Sequence, residues 1–157
     1  MFNLFKKKTA DKSICAFASG QLKSIDKCID PVFSEKMMGD GCLITPTDNK
    51  IVSPVDGYVA MLFPTMHAIG LKDENQNEYL IHIGVETVSL QGKGFISFVK
   101  TDQKVKKGDL LIEVDFNSIK DKVSSIDVIL IATDNRKCTQ LNESTVVCGQ
   151  DNIATFE

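Results

Sequence analysis

The sequence predicts an all-β domain: an antiparallel β-sandwich or barrel-like fold with one or two short helical turns. Three observations lead there. The apolar runs are strand-sized, as in Cys42-Leu-Ile-Thr45, Tyr58-Val-Ala-Met-Leu-Phe63, Tyr79-Leu-Ile-His-Ile-Gly-Val85 and Leu110-Leu-Ile-Glu-Val-Asp-Phe116. Turn signals cut them at near-regular spacing, a pattern typical of sandwiches and barrels. The chain also echoes itself weakly: Val105-Lys-Lys-Gly108-Asp-Leu-Leu-Ile112 resembles Val146-Val-Cys-Gly149-Gln-Asp-Asn-Ile153, and Ser19-Gly20-Gln-Leu22 resembles Asp56-Gly57-Tyr-Val59. That repetition suggests a duplicated β architecture in which Gly supplies the tight turn feeding the next strand.

Taken in order, residues 1–12 are polar and basic without clear period and read as a flexible leader. Its Phe2, Leu4 and Phe5 before Lys6-Lys-Lys8 would allow at most a peripheral membrane contact; a secretory signal has the opposite order of charge and apolar run. Residues 13–157 form the single domain. Turns fall at Ser19-Gly20, Gly39-Asp-Gly41, Pro46 with Asp48-Asn49, Asp56-Gly57, Asp73 to Asn77, Gly92 with Gly94, and Gly108-Asp109. Ser34-Glu-Lys-Met-Met38 is a candidate single helical turn ended by Gly39, and Phe116 to Val123 is another.

Composition narrows the function classes. A chain of 157 residues with 43% hydrophobic residues can bury a real core. The net charge of -3 and the absence of Trp give no support to nucleic-acid binding. No apolar stretch approaches the roughly 18–20 residues a membrane span needs. The five cysteines (15, 28, 42, 138 and 148) are odd in number and lack C-x-x-C spacing. They read as reduced thiols of a cytoplasmic protein, not as a disulfide framework or a zinc site.

The two histidines, His67 and His82, each lie in an apolar run. Between them, Lys72 to Glu78 reads as a hairpin turn. His67 lies eight residues before Asn75 and His82 seven after it, so a turn centred near Asn75 brings the imidazoles roughly opposite one another. Opposed residues of an antiparallel pair have Cβ atoms about 4.5–5.5 Å apart. An imidazole can attack phosphorus through Nε2 when Nδ1–H is tied to an acceptor, and a nearby carbonyl such as that of Gly84 could serve. Thr65, two residues before His67, would share its face in a strand. Phosphoryl transfer fits such a pair, because it rests on positioning and charge stabilisation. On the residues alone, a purely structural role for both histidines stays open.

At these residues the chain resembles the glucose-class enzyme IIA family of the bacterial sugar phosphotransferase system. The matching motifs are Pro54-Val-Asp-Gly57, Thr65-Met-His67-Ala, Ile81-His82-Ile-Gly84-Val-Glu86-Thr87-Val-Ser-Leu90 and Gly92-Lys-Gly94-Phe95. Phe33-Ser-Glu-Lys-Met-Met-Gly39-Asp-Gly41 and Val105-Lys-Lys-Gly108-Asp match too, and the resemblance runs from about Ile14 to the C-terminus. It implies a phosphoryl carrier in which His82 takes phosphate from the carrier protein HPr and passes it to a cysteine on the IIB domain of a sugar permease. It further implies that His67 is the stabilising imidazole, supported by Thr65. An apolar partner-binding surface is expected, for which Val32, Phe33, Met37, Met38, Phe63, Ile69, Leu80 and Val88 are the candidates, with Glu86 at the rim. A dry rim would protect a labile phosphohistidine from water, and Met adapts to differently shaped partners. Glu86 replaces the family's usual Asp, Ser89 its usual Glu, and Ala16-Phe-Ala-Ser-Gly20 lacks the usual Pro.

No cofactor is expected; a zinc ion bridging both histidines and a partner's carboxylate is a minor alternative. A zinc peptidase of similar duplicated architecture would need a His-x-His pair, which the chain lacks. A regulatory binding protein switched by its phosphorylation state is compatible with the same face, since a phosphoryl group changes local charge by about -2. The chain is expected to be free-standing, not fused to a permease.

Overall fold

The structure, a computed structural model, describes residues 13–157; the expected leader lies outside the described residues. Among the described residues, fourteen strands form three antiparallel sheets. They are β1 (Ser13–Cys15), β2 (Gly20–Ser24), β3 (Gly41–Pro46), β4 (Lys50–Val52), β5 (Gly57–Leu62), β6 (Ala68–Asp73) and β7 (Glu78–Val85). There follow β8 (Phe95–Ser97), β9 (Lys104–Val105), β10 (Leu110–Val114), β11 (Ser125–Ala132), β12 (Cys138–Gln140), β13 (Thr145–Val146) and β14 (Asn152–Phe156). The large sheet has the order β13-β2-β3-β11-β7-β6-β5-β9; the small ones are β1-β14-β12 and β4-β10-β8.

The large sheet reads the same from both ends when β13, β2, β3 and β11 are matched to β9, β5, β6 and β7, and the two small sheets correspond likewise. The sequence echo marks this duplication. Gly20 pairs with Pro46 and Val146, while Gly57 pairs with Asp73 and Val105. The other pair of echoed glycines meets in space: Gly108 and Gly149 have φ of +91° and +74°, and a Cβ on Gly149 would stand 3.2 Å from the Gly108 Cα. Close approach of the two turns, together with left-handed backbone, is what requires Gly there.

Strand alternation gives the large sheet two different faces. Val59, Ile69, Leu71, Ile81, Ile83, Val128 and Leu130 point to the main core, where they meet Ile14, Ile51, Leu111, Ile112 and Ile153 of the small sheets. Residues of opposite parity, Leu43, Ile129 and Ile131, lie on the outer face, where Ile25, Cys28 and Phe33 cover them as a second, smaller cluster. The connection between β2 and β3 supplies that cover. It contains a 3-10 turn (Ile25–Lys27) and the one-turn helix α1 (Pro31–Ser34).

α1 begins earlier than the expected Ser34–Met38. Asp30 caps its N-terminus by accepting from the Val32 amide at 3.0 Å, and Pro31 follows at the first helical position. A capping carboxylate and a ring-fixed φ outweigh the helix propensity of the Met pair, and Lys36, at φ 58°, lies just beyond the helix end. The second helix, α2 (Phe116–Ile119), stops short of Val123. Among the described residues no helix is long and apolar enough to cross a membrane.

Ile69 corrects one expectation. It is 0% exposed within the main core, because it pairs with Ile81 and shares that residue's inward parity, whereas Ala68 and Gly70 take the outer face. Ile69→Ala should therefore cost about 2–5 kcal/mol of stability in denaturant unfolding. Met37→Ala, at a side chain 69% exposed, should stay within about 0.5 kcal/mol of the parent in the same measurement.

Candidate active site

The site grows from the β6–β7 hairpin. Its turn is organised by Asp73, whose carboxylate accepts from the amides of Asn75 at 2.8 Å and Asn77 at 2.9 Å and from the Asn77 side-chain amide. Gln76 takes the left-handed conformation at φ 65°. The turn thus centres at residue 75 as the spacing predicts, and the register pairs Lys72 with Glu78 and Ala68 with His82. His82 lies on the outer face between Ala68 of β6 and Ile129 of β11.

That register puts His67 across from Ile83, one residue out of line with His82; the Ile83 amide donates to the His67 carbonyl at 2.7 Å. In a continuous strand this parity would send the His67 side chain to the opposite face. Instead His67 sits just outside β6, at the exit of a tight loop. The Met66 amide donates to the Phe63 carbonyl at 2.8 Å, and Met66 has φ 59°. The loop returns the imidazole to the outer face, and the two rings lie edge-on with centroids 5.2 Å apart and planes at 80°. Thr65 reaches His67 through this loop and not along a strand: its hydroxyl is hydrogen-bonded to His67 Nδ1. Phe63 packs against His67 at 5.5 Å and Phe33 against His82 at 5.0 Å, so four rings line up across the site.

The His82 Nδ1 lies 2.8 Å from the Gly84 carbonyl oxygen. A carbonyl only accepts, so Nδ1 carries the proton and Nε2 keeps its lone pair. Gly84 makes this possible. Its φ is +75°, and a Cβ there would come within 2.5 Å of Thr87 Cγ2 and 2.9 Å of the Ser125 carbonyl oxygen.

Burial lowers the pKa of His82 below the usual 6.5, against smaller upward pulls from the Gly84 carbonyl and the Asp30 carboxylate. Burial lowers His67 as well, and the neighbouring His82 adds to it. Both shifts favour the neutral rings.

Of the apolar candidates, Met37, Met38, Val32 and Val88 are exposed, with Val88 on the 3-10 turn Thr87–Leu90 that follows β7. Phe63 and Leu80 are partly covered, and Leu80 shares the outer face with His82. Phe33 is only 4% exposed, so it backs His82 more than it offers surface. Glu86 is exposed, with left-handed φ 67°, and its carboxylate accepts from the Ser124 hydroxyl. Motif reading overlooked Gly70, which pairs with Leu80 on the outer face, and Asp30, whose carboxylate acts on His82. The Asp30-Pro31 helix-start signature could have flagged Asp30. Among the described residues no group of three or more His, Cys, Asp or Glu is arranged to hold a metal ion.

These features define a β-sandwich with a paired-imidazole site on the outer face of its large sheet. Residues 12–138 match the family described as phosphoenolpyruvate-dependent sugar phosphotransferase system, EIIA 1. The chain is 46% identical over 126 residues to a glucose-specific EIIA component of Bacillus cereus, covering 80% of this chain and 76% of that one. It is 45% identical over 126 residues to a glucose-specific EIICBA component of Staphylococcus saprophyticus, covering 80% of this chain and 19% of that longer one. The solved glucose permease IIA of Mycoplasma capricolum superposes with a TM-score of 0.86 at 40% identity, covering 90% of this chain and 93% of the other. The chain belongs to the EIIA family of the phosphoenolpyruvate-dependent sugar phosphotransferase system.

Two tests follow from the site's geometry. Gly84→Ala should lose about 1–3 kcal/mol in thermal or denaturant unfolding, from backbone strain and the clash with Thr87. Because both imidazoles have folded pKa values below 6.5, the unfolded chain binds protons that the folded chain refuses as pH falls below 6.5. Stability should therefore be level above that pH and decline below it, toward the folded pKa values. Unfolding measured between pH 7 and 5 should show a shallower decline in His82→Gln than in the parent.

Proposed function

We propose that this phosphoryl carrier of the sugar phosphotransferase system works through His82. Nε2 attacks the phosphorus of a phosphohistidine on HPr; the donor P–N bond breaks, a P–Nε2 bond forms, and Nδ1 keeps its proton on the Gly84 carbonyl. In the return half, a cysteine thiolate of a permease IIB domain attacks the same phosphorus, the P–Nε2 bond breaks and a P–S bond forms. The observation that carries this reading is the Nδ1 contact of 2.8 Å, which leaves a neutral nucleophile on the outer face of the sheet, beside Phe33 and His67.

His67 is the partner imidazole. With Nδ1 accepting from the Thr65 hydroxyl, its Nε2–H is free to donate to a phosphoryl oxygen. Such a donor acts most strongly on charge that builds up in transfer. Donor and acceptor are nitrogen and sulfur nucleophiles, so the reaction calls on no metal or other cofactor. Val32, Met37, Met38 and Val88, with Phe63 and Leu80 beside them, form the surface on which HPr and IIB dock in turn, and Glu86 marks its rim. Resemblance to part of an EIICBA chain supports a IIB domain as recipient. Five free cysteines suit a cytoplasmic compartment.

Incubation with phosphoenolpyruvate, enzyme I and HPr, followed by mapping of the phosphorylated residue, tests the assignment. His82→Gln should take up no acid-labile, alkali-stable phosphate. His67→Gln should accept phosphate but pass it to IIB about 10²–10³-fold more slowly. Phosphate arriving on His82→Gln protein would refute the reading.

A further inference from the structure

The peptide just before the carbonyl that orients His82 is held by a side chain outside the imidazole pair. Thr87 is 0% exposed, and its hydroxyl donates to the Ile83 carbonyl at 2.5 Å. Its methyl carbon lies against Gly84, where an added Cβ would approach it to 2.5 Å. The Ile83 amide, at the other end of that residue, donates to the His67 carbonyl at 2.7 Å. Residue 83 is thereby fixed at both its amide and its carbonyl. The next residue, Gly84, turns left-handed and aims its own carbonyl back under His82 Nδ1.

We propose that Thr87 is a positioning residue: through its bond to Ile83 it sets the Gly84 peptide, and through that peptide it sets the tautomer of His82. The inference rests on the reading of His82 as the phosphoryl acceptor only for its effect on rate; its effect on the tautomer stands apart from that reading. A buried Thr at the start of a 3-10 turn could also serve packing alone. The two roles separate because the hydroxyl acts on the Ile83 carbonyl while the methyl fills space against Gly84. Thr87→Val removes the first and keeps the second; Thr87→Ser does the reverse. Burial makes the lost bond consequential, since a carbonyl deprived of its donor cannot recruit water easily.

The test is ¹⁵N NMR of the full-length protein at pH 7.5, where the imidazole nitrogen shifts report which nitrogen bears the proton. The parent and Thr87→Ser should both show His82 as the Nδ1–H tautomer. Thr87→Val should show a mixture of tautomers, with phosphate acceptance from phospho-HPr slowed about five- to tenfold, the size expected for one lost hydrogen bond. An unchanged tautomer in folded Thr87→Val, or the parent's tautomer lost equally in Thr87→Ser, overturns the proposal. If Thr87→Val does not fold, the parent protein decides: the Thr87 hydroxyl proton should be slow to exchange and correlated with the Ile83 carbonyl carbon, and a fast-exchanging, uncorrelated hydroxyl overturns the inference. A failure of the acceptor assignment would show differently, as a changed tautomer with no change in phosphate uptake.

Discussion

One hydrogen bond governs the chemistry available to this fold: His82 Nδ1–H to the carbonyl of Gly84, two residues along the same strand. A free imidazole divides its proton between two nitrogens. Here the backbone removes the choice, and it does so only because residue 84 can take φ +75°. The carbonyl that would ordinarily extend the ladder turns back beneath the ring. β7 thus gives up regular strand geometry at one residue and gains a fixed nucleophilic nitrogen on its outer face.

Much of this was legible in the chain, for reasons that can be named. Turn residues from Asp73 to Asn77 and apolar runs on either side predicted the hairpin, and Asp73 is the residue that ties the turn together. The Gly84 carbonyl was a natural candidate because it lies two residues from His82. Parity was not legible. From the register alone His67 belongs on the opposite face, and only the left-handed Met66 brings it round. Nothing in a non-glycine residue announces such a conformation. The same blindness put Ile69 among the surface candidates, since alternation tells that Ile69 and Leu71 share a face but not which face is wet. The early start of α1 was readable from Asp30-Pro31 and was masked by the more conspicuous Met37-Met38 pair.

The packing and the site are linked through the outer-face cluster. Phe33 seals Leu43, Ile129 and Ile131 from water and also presents its ring to His82 at 5.0 Å. The same covering that completes a minor core lowers the proton affinity of the imidazole, because a charged ring there loses solvation. Minor core and imidazole pair share one desolvated neighbourhood, and the folded state carries a cost for keeping His82 neutral only below pH 6.5.

The duplicated strand order has a consequence for traffic. The twin of the Ile83–His67 backbone bond is the bond from the Ala132 amide to the Asp40 carbonyl, so the places corresponding to His67 and His82 hold Asp40 and Ile131. A frame with duplicated strand order therefore bears the imidazole pair on one half only. Under the proposed chemistry, such a molecule receives a single visitor at a time. Supplier and recipient must exclude each other, and cargo moves by alternation instead of through a three-body assembly.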